Sequence, residues 1–393
     1  MSWSPTRRRY FARAHLEHDV PALPRMPEPF DAGPFVHLFR HGGSTTSPAR
    51  EARLHALVAV IVAWLPLLFL LPRPVGGSVR SRLVAMLLDG TTSRYLIAIP
   101  LLIIGQRLLA RRLGSIVRVF ERGDYVTGVE KDRLARLLGS TARLLPHPAA
   151  ALGIVLCSFA LSLFGGQIRH ASPDSLGALW RILVSQPLFL ACMLTWLWRT
   201  VLWTRLLWNI STFHLRLSPA HPDLAAGLLF ISRSVPAYMP FAAAMGTVVA
   251  CRIGEKLLVA HGTLGDNVGP VLVLLFGVLT VALAPVIPLL RPIRRAQLRG
   301  IMEYGALAMQ LGQRFEERWL RRETLRPDAL SASDFSATTD LYSIAANVTR
   351  IRMLPVDGRA VVALCLAALL PFVPVAFLTL PPSRVLQLIK TVL

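Results

Sequence analysis

Seven long apolar segments divide this chain, and its basic residues collect in every second gap between them. A helix needs about 20 apolar residues to cross about 30 Å of hydrocarbon. Segments near 54–72, 94–110, 149–166, 179–200, 230–251, 268–290 and 360–381 approach that length. The gaps 1–53, 107–147, 199–233 and 291–359 hold 33 Lys and Arg, and the gaps 73–93, 166–178, 252–267 and 382–393 hold 8. Loops that stay in the cytoplasm are enriched in Lys and Arg, so the alternation predicts an N-terminus inside and a C-terminus outside. The expected fold is all-α: a polytopic transmembrane bundle of about seven spans with a cytoplasmic helical layer. The runs are long and lack strand-like alternation, which argues against a barrel.

Composition agrees, with 53% hydrophobic and 17% charged residues and a mean hydropathy of +0.51. The net charge of +21 is spread over the cytoplasmic gaps, where topology and anionic lipid headgroups account for it. No nucleic-acid partner is expected, because no binding motif accompanies the charge. Cys157, Cys192, Cys251 and Cys365 lie in or beside apolar segments without metal-ligand spacing, and read as small buried hydrophobes.

The segments differ in quality. The one near 94–110 is the weakest, being short and interrupted by Gln106 and Arg107. The fifth contains Arg233, so its apolar part begins near Ser234. Residues 1–53 read as a disordered, basic, proline-rich cytoplasmic N-terminus. The run Thr6-Arg7-Arg8-Arg9-Tyr10-Phe11 lacks the apolar core that an export signal needs. Residues 382–393 read as a short amphipathic tail on the outer face.

Two inner stretches have helical periodicity. Leu108, Leu109, Leu113, Ile116, Val117 and Phe120 open a cytoplasmic helix over 111–145, with a Gly/Asp break near 123–128. Within 291–359, Ile301, Gly305, Ala308, Gly312, Phe315 and Trp319 form a heptad seam that is small in its middle. The expected neighbour of that seam is the 108–145 helix, or a partner subunit. Trp196, Trp198, Trp203 and Trp208, with Arg199 and Arg205, read as an interfacial belt. Ala242, Gly246 and Ala250 make a close-packing stripe. Pro236/Pro240, Pro285/Pro288 and Pro371/Pro374 place a pair in each of the last three spans, where kinks are expected.

Chemistry is concentrated in one loop, Pro219-Ala-His221-Pro222-Asp223-Leu-Ala-Ala-Gly227-Leu-Leu-Phe230. Asp223 sits where an N-cap belongs, with a helix beginning at Ala225. His221 beside a carboxylate is a proton acceptor or a metal ligand; in the plainer reading it bonds to a neighbouring carbonyl. His221, Pro222, Asp223, Gly227 and Arg233 form the candidate functional loop. Glu303, Tyr304, Gly305 and Gly312 form the candidate helix contact. The loop resembles the H-P-D-x-A-G-G-L-x-F motif of a family of multi-pass bacterial inner-membrane proteins. The run Glu303-Tyr304-Gly305-Ala306-Leu307-Ala308, the Asp340–Pro355 segment and the P-x-x-P near the end of the last span fit the same family. Leu224 stands where that family usually has Arg, Ala226 where it has Gly, and Leu229 where another small residue is usual. The missing Arg weakens any scheme built on an Arg–Asp pair. The resemblance implies the architecture and marks the loop, but implies no mechanism.

No phosphate-cradling loop, nucleophile elbow, H-E-x-x-H or C-x-x-C is present, and no cofactor or metal is expected. The expected partners are the bilayer, its anionic headgroups on the cytoplasmic side, and either another protein or a second copy. These features point to a non-enzymatic scaffold, assembly factor or signalling partner. The alternative is a channel or transporter for ions or small solutes, gated at its cytoplasmic mouth. An enzyme using His221 and Asp223 stays open as a third reading.

Overall fold

The apolar runs fold as helices because only intrachain hydrogen bonds can satisfy a backbone removed from water. The structure, a computed structural model, describes residues 48–70, 93–164, 176–259, 267–320 and 333–379. The expectations for residues 1–47 and for the tail beyond 379 lie outside these. Among the described residues there is no strand. The longer α-helices are α1 (Pro48–Leu70), α2 (Ile99–Arg122), α3 (Val129–Leu144), α4 (Pro148–Phe164), α5 (Gln186–Ser211), α6 (Met239–Val259), α7 (Val268–Leu283), α8 (Leu290–Trp319), α9 (Ser333–Thr349), α10 (Gly358–Leu369) and α11 (Phe372–Thr379).

The protein is a polytopic membrane bundle, and its surface shows why. Large apolar side chains face outward, among them Leu57, Ile61 and Leu65 of α1, Leu156 and Phe159 of α4, Phe276 of α7 and Leu366 of α10. Hydroxyls turn inward and bond to carbonyls of neighbouring helices: Ser162 Oγ donates to Ile182 O at 2.6 Å, and Ser185 Oγ to Ala63 O at 2.7 Å. A water-soluble fold would reverse this arrangement; lipid requires it. Among the described residues, five helices are long and apolar enough to cross a bilayer: Arg50–Leu70, Leu176–Ser211, Leu229–Leu257, Val268–Trp319 and Gly358–Phe377. A sixth is reached if α3 and α4, bent by 47° at their junction, count as one.

The second segment does not reach that standard, and its position explains why. α2 turns one face into the bundle, with Ile99, Leu102, Leu109 and Leu113 fully buried, while Ile104 and Leu108 stay exposed on the other. It is held there by Trp196, whose Nε1 donates to Leu102 O at 2.9 Å. A helix with one broad face against other helices needs fewer lipid-facing apolar residues than one at the rim. Gly105 lies against Pro240 and the Trp196 ring, leaving no room for a Cβ.

Helix boundaries run past the apolar segments. Residues 111–122 belong to α2 rather than to a separate cytoplasmic helix, because the amphipathic stripe continues the apolar one in phase. α5 extends to Ser211, and two of its tryptophans are core, not belt: Trp196 and Trp203 are fully buried. Trp208 differs from them: it is 52% exposed, with the Arg291 guanidinium 5.5 Å from its ring centroid. The proline pairs coincide with breaks. A 3₁₀ stretch, Leu229–Tyr238, precedes α6; another, Ala284–Leu289, joins α7 to α8; and α10 and α11 are separate helices. The 242–250 stripe packs on α10, where Gly246 meets the Ala368 carbonyl directly.

The seam on α8 has a different neighbour from the one expected. It packs against α9, not against α2 or α3. Gly312 faces the Tyr342 hydroxyl, 2.6 Å from where a Cβ would stand, while Gly305 faces open space. α9 follows α8 closely in the chain, and a neighbour near in sequence outcompetes a distant helix.

Candidate functional site

Between α5 and the 3₁₀ stretch, residues 212–228 cross the arginine-rich end of the bundle without regular helix. Backbone polar groups there must find partners, and they find them on three sides. Toward α3, the Glu130 carboxylate accepts from the His214 amide at 3.0 Å and contacts His214 Nδ1 at 3.0 Å. In the α2–α3 connection, Tyr125 O accepts from the Arg216 amide at 2.9 Å. Toward α8, Arg299 donates to Leu217 O at 3.2 Å, and Pro219 sits on Gly300. Toward the α9–α10 linker, the Arg352 amide donates to Leu224 O at 2.7 Å, and the Asp357 amide to Ser232 Oγ at 2.8 Å. The loop thus ties α3, the α2–α3 connection, α8 and the α9–α10 linker together.

Asp223 organises the loop from within. Its Oδ1 accepts from the amides of Ala225 (2.9 Å) and Gly227 (3.1 Å), and its Oδ2 from Leu229 (3.1 Å). Leu229 is the first residue of the 3₁₀ helix, so the helix starts there and not at Ala225. Asp223 still serves that helix end, reaching it from six residues away. Burial would raise the Asp223 carboxyl, but the three amides and His221 outweigh it and hold it below the ordinary carboxylate value.

The chain pays for this wrap in backbone conformation. Leu224 (φ 54), Ala226 (φ 55) and Gly227 (φ 91) all lie in left-handed territory. That is natural for glycine and strained for leucine and alanine. Gly227 also brings its carbonyl to Tyr125, whose hydroxyl donates to it at 2.9 Å. Burial, and then the Asp223 charge, raise the Tyr125 phenol, which keeps it a donor. Phe120, Tyr125 and Phe230 pack as an aromatic triangle under the loop, with centroids 5.1–5.8 Å apart.

His221 bonds to the Asp223 carboxylate, not to a carbonyl: Nδ1 lies 2.9 Å from Oδ1. The same Nδ1 also lies 3.3 Å from the Asp223 amide, which donates to it, so the ring folds onto both the side chain and the backbone of Asp223. The side chain is 44% exposed, and Nε2 makes no hydrogen bond among the described residues. Pro222 is exposed. Arg233 is exposed too and makes no hydrogen bond to His221 or Asp223. Glu303 and Gly305 face outward on α8, beyond Gly300 where that helix meets the loop; Tyr304 packs on the core. Among the described residues no three His, Cys, Asp or Glu side chains converge. The candidate loop therefore contains a His–Asp pair in which the acid is already occupied by backbone. Tyr125, Glu130, His214, Arg299 and Arg352 escaped sequence reasoning, because each reaches the loop from a distant segment and carries no local motif.

Compared with protein-family models, curated proteins and solved structures, the chain matches none. The likeness to the H-P-D motif family therefore rests on the residues quoted above.

Proposed function

We propose that this is a bacterial inner-membrane protein, with its N-terminus inside, that works as a non-enzymatic scaffold, assembly factor or signalling partner through its cytoplasmic end. The observation that carries this reading is the α8–α9 hairpin. α8 continues directly from a span, and its 30 residues reach about 45 Å beyond it. It presents Leu298, Met302, Leu307 and Met309 outward, which is costly for a surface that meets only water. The Asp223 carboxylate, by contrast, is committed to three amides, which speaks against acid–base work. A photo-reactive amino acid at position 302 or 309 should give a discrete cross-linked species in intact cells. The same probe at exposed Val129 should not. No adduct at either hairpin position would remove the basis for this reading.

A second reading, a channel or transporter, is favoured by the three helix breaks at the proline pairs. Broken helices at repeat interfaces form transport sites. Flux of ions or small solutes into liposomes, altered by His221→Ala, would support it. Absence of flux from well-folded protein would end it.

A further inference from the structure

We propose that a phosphate-bearing anion binds in an open cavity of about 240 Å³ between α3 and the end of α5. Arg133, Arg136, Leu137 and Ser140 lie at i, i+3, i+4 and i+7, and so share one face of α3. Asn209 and Phe213 close the cavity from the other side. Two guanidiniums, a hydroxyl and a carboxamide, over an apolar floor of Leu137 and Phe213, suit a phosphate monoester or diester. The Arg133 guanidinium is parked over the Phe213 ring at 5.1 Å, which orients it toward the cavity. Arg136 has no ion pair or hydrogen bond among the described residues.

The nearby acids do not cancel this charge. Glu130 lies one turn before Arg133 and partly offsets it, but the His214 amide and ring already hold its carboxylate. Asp132 is exposed on the same helix. Asn209 Nδ2 donates to Arg205 O and keeps a second proton for a ligand, whereas the Ser140 hydroxyl donates to Leu137 O and must turn from it to meet a phosphate. The cavity contains neither His221 nor Asp223, and of the 212–228 loop it takes only Phe213.

The level of the cavity identifies the source of the phosphate. Asn209 follows Trp208, the interfacial tryptophan stacked with Arg291. Aromatic belts mark the headgroup layer, so the cavity opens where lipid phosphates lie. Basic cavities between helices at the cytoplasmic side take anionic headgroups. Assigning the site to the inner leaflet rests on the orientation proposed above; the phosphate chemistry does not.

Native mass spectrometry of the full-length protein, titrated with phosphatidylglycerol or phosphatidylcholine, tests the site. A parallel arm measures melting temperature against inorganic phosphate. The wild type should retain phosphatidylglycerol about tenfold better than phosphatidylcholine, and Arg133→Gln/Arg136→Gln should abolish that preference. Arg111→Gln/Arg112→Gln, an equal loss of charge at exposed positions on α2, should change it less than about twofold. Stabilisation by inorganic phosphate, lost in the same pocket variant, would support the site with a soluble phosphate as its ligand. Equal losses in the two double variants would overturn the proposal, since diffuse charge would then explain the binding. Binding of neither lipid nor phosphate would overturn it as well. If the end proved extracytoplasmic, dependence on Arg133 and Arg136 would persist and only the leaflet would change.

Discussion

At the scale of single residues, Asp223 holds three amides that nothing else nearby can satisfy. Asp223→Ala should cost roughly 3 kcal/mol in thermal or denaturant unfolding, because buried donors are left unpaired. Asp223→Asn keeps one acceptor and should cost about half of that. The carboxyl is depressed in the folded protein, so its contribution is complete above the ordinary carboxylate value and is lost as pH falls through the folded one. Melting temperature should therefore drop below about pH 4, and Asp223→Asn should flatten that acid limb. An unchanged limb would mean that other carboxylates dominate. Ala226 offers the opposite sign. Its φ of 55 suits glycine, so Ala226→Gly should stabilise the protein by about 1 kcal/mol, the strain relieved exceeding the chain entropy lost. Leu224 and Ala226 gave no hint of such backbone, since neither residue type signals a left-handed turn. Only the resemblance, with glycine at the second position, pointed toward it.

At the scale of elements, close approaches set the packing. Gly246 touches the Ala368 carbonyl, a backbone atom that cannot swing away, so Gly246→Ala should cost roughly 1–3 kcal/mol and loosen α6 from α10. Gly312 faces only the tip of a side chain, the Tyr342 hydroxyl. Gly312→Ala should therefore cost less than about 1 kcal/mol, and Tyr342→Phe should recover most of it in a double-mutant cycle. Additive effects would mean that α8 and α9 do not meet there. This contrast shows what sequence could and could not supply. Apolar length announced the spans, and the small residues at 242–250 and 301–319 announced close packing. The partner of each seam was not legible, because small residues permit an approach without naming what approaches. The ends of α2 and α5 were hidden for a related reason: their buried stripes run on past the apolar segments without a change of period.

At the scale of the whole molecule, the 212–228 loop joins α3, α8 and the α9–α10 linker into one layer at the arginine-rich end. The hairpin, the His221–Asp223 loop and the Arg133–Arg136 cavity all belong to that layer. The scaffold and channel readings, and the leaflet assigned to the cavity, share one requirement, that this end faces the cytoplasm. Cysteine accessibility in spheroplasts, on a background lacking the four native cysteines, tests it most directly. His214, with its side chain 98% exposed, and Met309 on the hairpin are the inner reporters, and exposed Glu255 is the outer one. The account predicts that an impermeant maleimide labels Glu255→Cys at once, and His214→Cys and Met309→Cys only after the membrane is permeabilised. Labelling of His214→Cys or Met309→Cys in sealed spheroplasts would contradict it.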